Sequence, residues 1–125
     1  MSSWTDDELA RVDRADEVGI ASHRADGTLR PFVTIWAVRV GDDVYLRSAH
    51  GPENGWFRRA VAAGTGGLRV GGRTREIRFE ASHDDVHDAV DAAYHDKYDR
   101  YGPAIVGSVV GPAVRSVTLR VVPTD

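Results

Sequence analysis

Apolar and polar positions change their spacing several times along the chain, and each change marks an element. Thr5 with Glu8 three residues later, and Leu9 and Val12 sharing one side, predicts a short N-terminal helix opened by a capping box. From residue 17 the period becomes two. Residues 17–24 (EVGIASHR) predict a strand, Ala25-Asp26-Gly27 a hairpin turn, and residues 28–40 (TLRPFVTIWAVRV) one long second strand. Pro31 lies near its start, where a missing N–H is tolerated. On this strand Phe32, Thr34, Trp36, Val38 and Val40 share one face, and Val33, Ile35 and Ala37 the other. Both faces need cover, which suits a barrel strand with a helix or a second subunit outside it.

Gly41-Asp42-Asp43 turns the chain into a third strand, residues 44–49, followed by an irregular stretch and a helix over residues 56–63 that Gly64 ends. Residues 67–70 predict strand four, Gly71-Gly72 a tight turn, and residues 73–81 strand five, with Ile77, Phe79 and Ala81 inward. Ser82 with Asp85 then predicts the cap of the longest helix, residues 83–101. Val86, Ala89, Val90, Ala93, Tyr94, Tyr98 and Tyr101 hold its helical stripe, and Gly102-Pro103 stops it. A Gly-punctuated connection leads to a last strand at 114–122, where Val117, Leu119 and Val121 alternate with Ser116, Thr118 and Arg120. Six strands joined mostly by hairpins describe a small antiparallel barrel; only the connections at 50–65 and 82–113 have room for crossover helices.

Composition narrows the chemistry. A chain of 125 residues supports one domain, spanning 1–125, and the absence of cysteine excludes disulfides, thiolate nucleophiles, Cys-type zinc sites and iron–sulfur clusters. No apolar run approaches the ~18 residues of a membrane span, and residues 1–8 are acidic, so a cytoplasmic protein off the membrane is expected. The formal net charge of -3 offers nucleic acid no overall attraction. That charge is unevenly spread. Arg47, Arg58, Arg59, Arg69, Arg73, Arg75 and Arg78 face only Glu53 and Glu76 in one stretch, whereas residues 84–101 hold six aspartates. A general preference for arginine accounts for 15 of 16 basic residues being Arg, but not for this clustering.

The stretch with most chemical content is YLRSAHGPENGWFRRA, residues 45–60. A strand runs into Arg47-Ser48, a glycine-containing loop follows, and the next helix begins at Trp56 and carries Arg58 and Arg59. A hydroxyl, loop and helix N–H groups, and guanidinium forks are the donors a phosphate needs. Trp36 and Trp56 supply flat apolar surface for a conjugated ring. Read alone, the same residues equally describe exposed helix charges beside a core tryptophan.

The string Ser48-Ala49-His50-Gly51, then Gly55-Trp56-Phe57-Arg58, with the closing strand Leu119-Arg120-Val121-Val122-Pro123, resembles the split β-barrel flavin-binding superfamily. That group holds pyridoxamine-phosphate-oxidase-like proteins and deazaflavin-dependent nitroreductases. The resemblance covers residues 17–123. It implies an α+β, mainly β, six-stranded antiparallel split β-barrel with a short N-terminal helix and a long helix at 83–101. It also implies an FMN or deazaflavin cofactor, a small-molecule substrate and a homodimer with the cofactor at the interface. The cofactor phosphate maps onto Arg47, Ser48, His50, Gly51, Trp56, Arg58 and Arg59, and the ring onto Thr34, Ile35 and Trp36. Two departures stand out: one glycine follows His50 where the deazaflavin enzymes usually have two, and Arg59 replaces an Asn.

A bound ring would itself carry the hydride, so no catalytic triad is required. Tyr94, Tyr98 and His50 are the candidate proton donors, and Tyr101 shares the tyrosine side of the long helix. His83, His87, Asp91 and His95 recur at i+4 and have the spacing of zinc ligands, but the adjacent aspartates make them read as a solvated face opposite the tyrosines, with no metal site. Two other classes remain: a cofactor-free binding module on the same barrel, and an acid–base enzyme using His50, Asp or Tyr.

Overall fold

The computed structural model describes residues 3–124. The capping box forms as the spacing predicts. The Thr5 hydroxyl accepts from the Glu8 N–H at 3.1 Å, the Glu8 carboxylate accepts from the Thr5 N–H at 2.9 Å, and helix α1 (Asp6–Arg14) buries Leu9 and Val12. Seven strands follow: β1 (Val18–Ser22), β2 (Val33–Ile35), β3 (Ala37–Val40), β4 (Asp43–Arg47), β5 (Thr65–Val70), β6 (Arg73–Ala81) and β7 (Thr118–Pro123). Between them lie α2 (Gly55–Ala63), α3 (His87–Tyr98) and a one-turn helix α4 (Pro103–Val106).

All strand pairs are antiparallel, in the order β2-β1-β5-β6-β7-β4-β3. The two outermost members, β2 and β3, are consecutive in the chain and separated only by Trp36. The sheet therefore curls until its edges meet at that residue, giving a nearly closed barrel with helices around it. The predicted count of six becomes seven because the expected strand at 28–40 is not continuous. Its 33–35 part pairs with β1 and its 37–40 part with β4.

The cause lies at Ala37. Its N–H donates to the Tyr98 hydroxyl at 3.2 Å, and its C=O accepts from that hydroxyl at 3.1 Å and from Lys97 Nζ at 2.7 Å. Side chains of α3 thus occupy the backbone groups at the free edge of β3, where a neighbouring strand would otherwise pair. Lys97, the one lysine, also donates to the Val12 C=O at 2.7 Å and so ties in the end of α1; burial lowers its ammonium to about 8.

Two apolar layers result. Inside the barrel lie Leu9, Val12, Ile20, Leu46, Leu68, Ile77 and Val121, with Trp56 and Phe57 of α2. Outside it, Val38 and Tyr45 pack with Val90, Tyr94, Tyr98, Val106 and Val109. The strands β1 and β5 touch so closely that a Cβ at Gly66 would stand 1.9 Å from the Ala21 carbonyl oxygen, which only glycine permits.

Several boundaries differ from the pattern reading. The last strand starts at Thr118, not 114, because residues 112–117 coil into a 3₁₀ turn after Pro112. Ala81 ends β6 at the rim and is exposed rather than inward. The helix predicted over 83–101 is a 3₁₀ turn at 84–86, then α3, then a second 3₁₀ turn at 99–101. Ser82 and Asp85 form no cap; the Val86 N–H is taken by the His83 carbonyl instead. None of the described helices is long and apolar enough to cross a membrane.

The two fully buried tyrosines differ in one respect that is testable. Tyr98 is bonded on both sides, whereas the Tyr94 hydroxyl has no partner among the described residues. Tyr98→Phe strands the Ala37 N–H and should cost ~1–3 kcal/mol in urea denaturation, while Tyr94→Phe, which removes an unpaired polar atom, should be neutral or stabilising. Equal losses would contradict this assignment.

Candidate functional site

The residues of β4 alternate between the two layers: Val44 and Leu46 point into the barrel, Tyr45 outward to the helix layer. Arg47 follows Tyr45 by two and belongs to the outer side, where its side chain is 0% exposed. Every nitrogen of its guanidinium is bonded. Nε donates to Thr118 Oγ1 at 2.9 Å, Nη1 to the Asp91 carboxylate and to the Val109 C=O at 2.9 Å, and Nη2 to His87 Nδ1 at 3.2 Å. Asp91 also accepts from the Gly111 N–H at 3.3 Å, and the Thr118 hydroxyl donates to the Val114 C=O at 2.8 Å. One side chain therefore joins β4, β7, α3 and the connection around 109–111.

The charges of this cluster are set by burial and by Arg47. Burial opposes ionisation of Asp91, but the hydrogen bonds from Arg47 and the Gly111 N–H prevail and hold its carboxyl below the ordinary carboxylate range. Burial, followed by the nearby Arg47 and Arg115 charges, lowers the His87 imidazole. Neutral His87 is consistent with Nδ1 acting as acceptor toward Arg47.

Beside this cluster an open cleft of about 510 Å³ is lined by Val33, Thr34, Ile35 and Trp36 from the strand junction, by Arg47, Ala49, His50, Asn54 and Trp56, and by Glu17, Ile105, Ser108 and Val109. Trp36 is held by parallel stacking on Tyr98, with ring centroids 4.0 Å apart and planes at 6°. The loop below the cleft is shaped by Ser48, whose buried hydroxyl donates to the Gly51 C=O at 2.7 Å. Gly51 has φ +80°, a left-handed conformation that favours glycine. Asn54 caps α2, its side chain accepting from the Trp56 N–H at 3.3 Å.

Of the residues singled out in the sequence, Thr34, Ile35, Trp36, Arg47, His50 and Trp56 come together around this cleft, with Ser48 and Gly51 forming its loop. Arg58 and Arg59 do not line it. They are exposed and border other grooves, Arg58 with Phe57 and Val61, Arg59 also with Arg24 and Arg30. Tyr94 and Tyr98 are fully buried and do not reach the cleft, whereas His50 lies exposed at it.

His87 and Asp91 are not on a solvated face opposite the tyrosines. They share the inward side of α3 with Val90, Tyr94 and Tyr98, because Arg47 needs an anion and an acceptor where it is buried. The signal was in the spacing: residues 87, 91, 94 and 98 form a helical stripe of their own. Asn54 was also legible, as an N-cap residue just before the helix. Nothing local marked Glu17, Ile105 or Val109 as cleft residues, since they arrive there only through the fold.

This architecture is the split β-barrel of the pyridoxamine-phosphate-oxidase-like proteins. A Listeria innocua protein provisionally named a pyridoxamine 5′-phosphate oxidase superposes with a TM-score of 0.65 at 12% identity, over 96% of this chain and 93% of that one. An F420 reductase gives 0.55 at 20% identity, over 93% and 92%, and the haem storage protein of Vibrio cholerae 0.62 at 11%, over 96% and 90%. Residues 8–121 match the family described as uncharacterized protein conserved in bacteria (DUF2255), and the chain belongs to that family. No curated protein sequence matches it.

Removing Arg47 leaves Asp91 as an uncompensated charge, so Arg47→Ala should cost ~3–5 kcal/mol in chemical denaturation. Arg47→Lys should recover little, since an ammonium cannot reach the Thr118, Asp91, Val109 and His87 partners together. Acid stability follows with a definite sign. The His87 imidazole is lowered in the folded chain, so below about pH 6.5 the unfolded chain takes up a proton that the folded chain does not, and stability falls. A second fall, from Asp91, begins below about pH 4. His87→Asn keeps an acceptor for Arg47 and should flatten only the first decline, as read from melting temperature against pH.

Proposed function

We propose that the cleft binds a flat conjugated redox cofactor, a flavin or a deazaflavin, and that the protein is a cytoplasmic oxidoreductase reducing a small organic acceptor. The observation that carries this reading is Trp36: an indole held rigid by Tyr98, lining a cleft whose size suits a small-molecule site. The names of an F420 reductase and a pyridoxamine 5′-phosphate oxidase among proteins of the same fold support it.

The fit differs between the two ends of such a cofactor. Trp36, Ile35, Val33 and Val109 offer apolar surface to a ring and exclude water from it. The phosphate end cannot use Arg47, whose donors are all engaged within the protein. It is left with His50 and with the Gly55 and Phe57 N–H groups at the start of α2, since the Trp56 N–H is taken by Asn54. The first turn of that helix holds no acidic residue, so its positive end is not neutralised, and Arg58 and Arg59 add to the potential without lining the cleft. When bound, the ring supplies the hydride. With Tyr94 and Tyr98 enclosed, His50 is the side chain placed to deliver a proton to a substrate.

The cleft is open on one side, and Ile105 at its border is 53% exposed. A second copy of the chain covering it would complete the wall, so the proposal includes a homodimer. Sedimentation should give twice the chain mass; a monomer at micromolar concentration would remove this part of the reading.

Titration with FMN and with F420, followed by absorbance and fluorescence, tests the cofactor directly. One of the two should bind saturably, Trp36→Ala should weaken it by about tenfold, and His50→Ala should lower turnover by ~10²-fold or more with little change in binding. No affinity for either would refute the proposal and leave the cofactor-free alternatives. Haem is a second reading, favoured by the imidazole of His50 at the cleft. A Soret band whose position depends on His50 would select it.

A further inference from the structure

A second cavity, of about 160 Å³, lies between α1 and the β5–β6 hairpin and shares no lining residue with the cleft. Strand geometry builds its floor. Leu68 and Val70 are two apart on β5 and so face the same way, and Arg75 and Arg73 stand directly opposite them on β6, which puts all four side chains on one side of the hairpin. Val12 of α1 and the Trp4 indole complete the apolar surface. Trp4 is fixed there, because its Nε1 donates to the Val121 C=O at 3.1 Å.

The rim is charged, and its charges are unequally engaged. The Glu8 carboxylate accepts from Arg75 Nη1 at 2.6 Å and from the Thr5 N–H at 2.9 Å. Burial opposes its ionisation, but these bonds prevail and hold the carboxyl below the ordinary carboxylate range. Asp7 accepts from Arg11 Nε at 2.8 Å. Both acids of the rim therefore have their cations. Arg73, at the same rim, makes no ion pair or side-chain hydrogen bond among the described residues.

Size and charge together define what fits. An apolar cavity of ~150 Å³ is known to hold one benzene ring, so the space here suits a single ring. The unengaged guanidinium at its edge is a planar fork that receives a carboxylate through two parallel hydrogen bonds. A second negative charge would be repelled by Asp7 and Glu8, which border the same space, and a cationic head would find no unpaired acid.

We propose that this cavity binds a small aromatic monocarboxylate, its ring on Leu68, Val70 and Trp4 and its carboxylate on Arg73. Nothing at this site depends on a cofactor in the cleft.

The test is titration of the full chain with benzoate at low salt, followed by amide and indole N–H shifts, with benzyl alcohol, acetate and phenyl phosphate in parallel. Saturable one-to-one binding of benzoate is expected with a Kd on the order of 1 mM or tighter, and at least ~tenfold weaker binding of each of the other three. The shifts should centre on Trp4, residues 7–12 and residues 68–75. Arg73→Gln changes an exposed side chain and should weaken benzoate by about tenfold. Val70→Phe fills the cavity from a half-buried position and should abolish binding with the circular dichroism spectrum unchanged. Arg115→Gln, whose side chain pairs with Asp88 away from the cavity, should leave binding as it is. Benzyl alcohol, acetate or phenyl phosphate binding as tightly as benzoate, indifference to Arg73→Gln, shifts centred on the cleft, or no saturation by ~10 mM would overturn the proposal.

Discussion

A guanidinium with no contact to water is expensive to hold unless each of its donors finds an acceptor, and Arg47 meets that condition through four residues on three separate segments. The requirement works in both directions. It places Asp91 and His87 on the inner side of α3 and brings the Thr118 hydroxyl to the start of β7. It also draws the backbone at Val109 and Gly111 against the barrel. The helix layer thus has one registered position over β3 and β4, whereas apolar contact alone would tolerate several. Whether the pair is worth more than an apolar substitute is a separate matter; its clearest role here is positional.

The second constraint is the closure at Ala37. Tyr98 and Lys97, on the same helix as Arg47's partners, occupy the backbone groups at the edge of β3. The same tyrosine stacks under Trp36, so the closure of the barrel and the platform of the cleft depend on one ring. Function and fold are therefore hard to separate in this region. The arginine that looked like a phosphate ligand serves the architecture, whereas Arg58 and Arg59 on α2 stay exposed.

How much of this was legible in the sequence depended on range. The capping box, the hairpin turns and the end of α2 at Gly64 are local events among neighbouring residues, and pattern reading placed them well. The stretch from residue 45 to 60 was recognisable for the same reason, since strand, loop and helix lie close together in the chain. The break at Trp36 was not recognisable, because the residues that cause it lie 60 positions away on α3. The roles of His87 and Asp91 were missed because their neighbours Asp84, Asp88 and Asp96 are polar too, and polarity alone does not tell a solvated face from a buried ionic one.

Taken alone, the amino-acid order determined most of the elements, the barrel class, the absence of thiol chemistry and the concentration of arginine between residues 47 and 78, all of which rest on periodicity, turn chemistry and composition. Tertiary structure decided which arginine is consumed and which are free. That outcome depends on desolvation: a charge drawn into the interior must bring its partners with it, and only the folded chain shows that Arg47 has done so while Arg58 and Arg59 remain exposed.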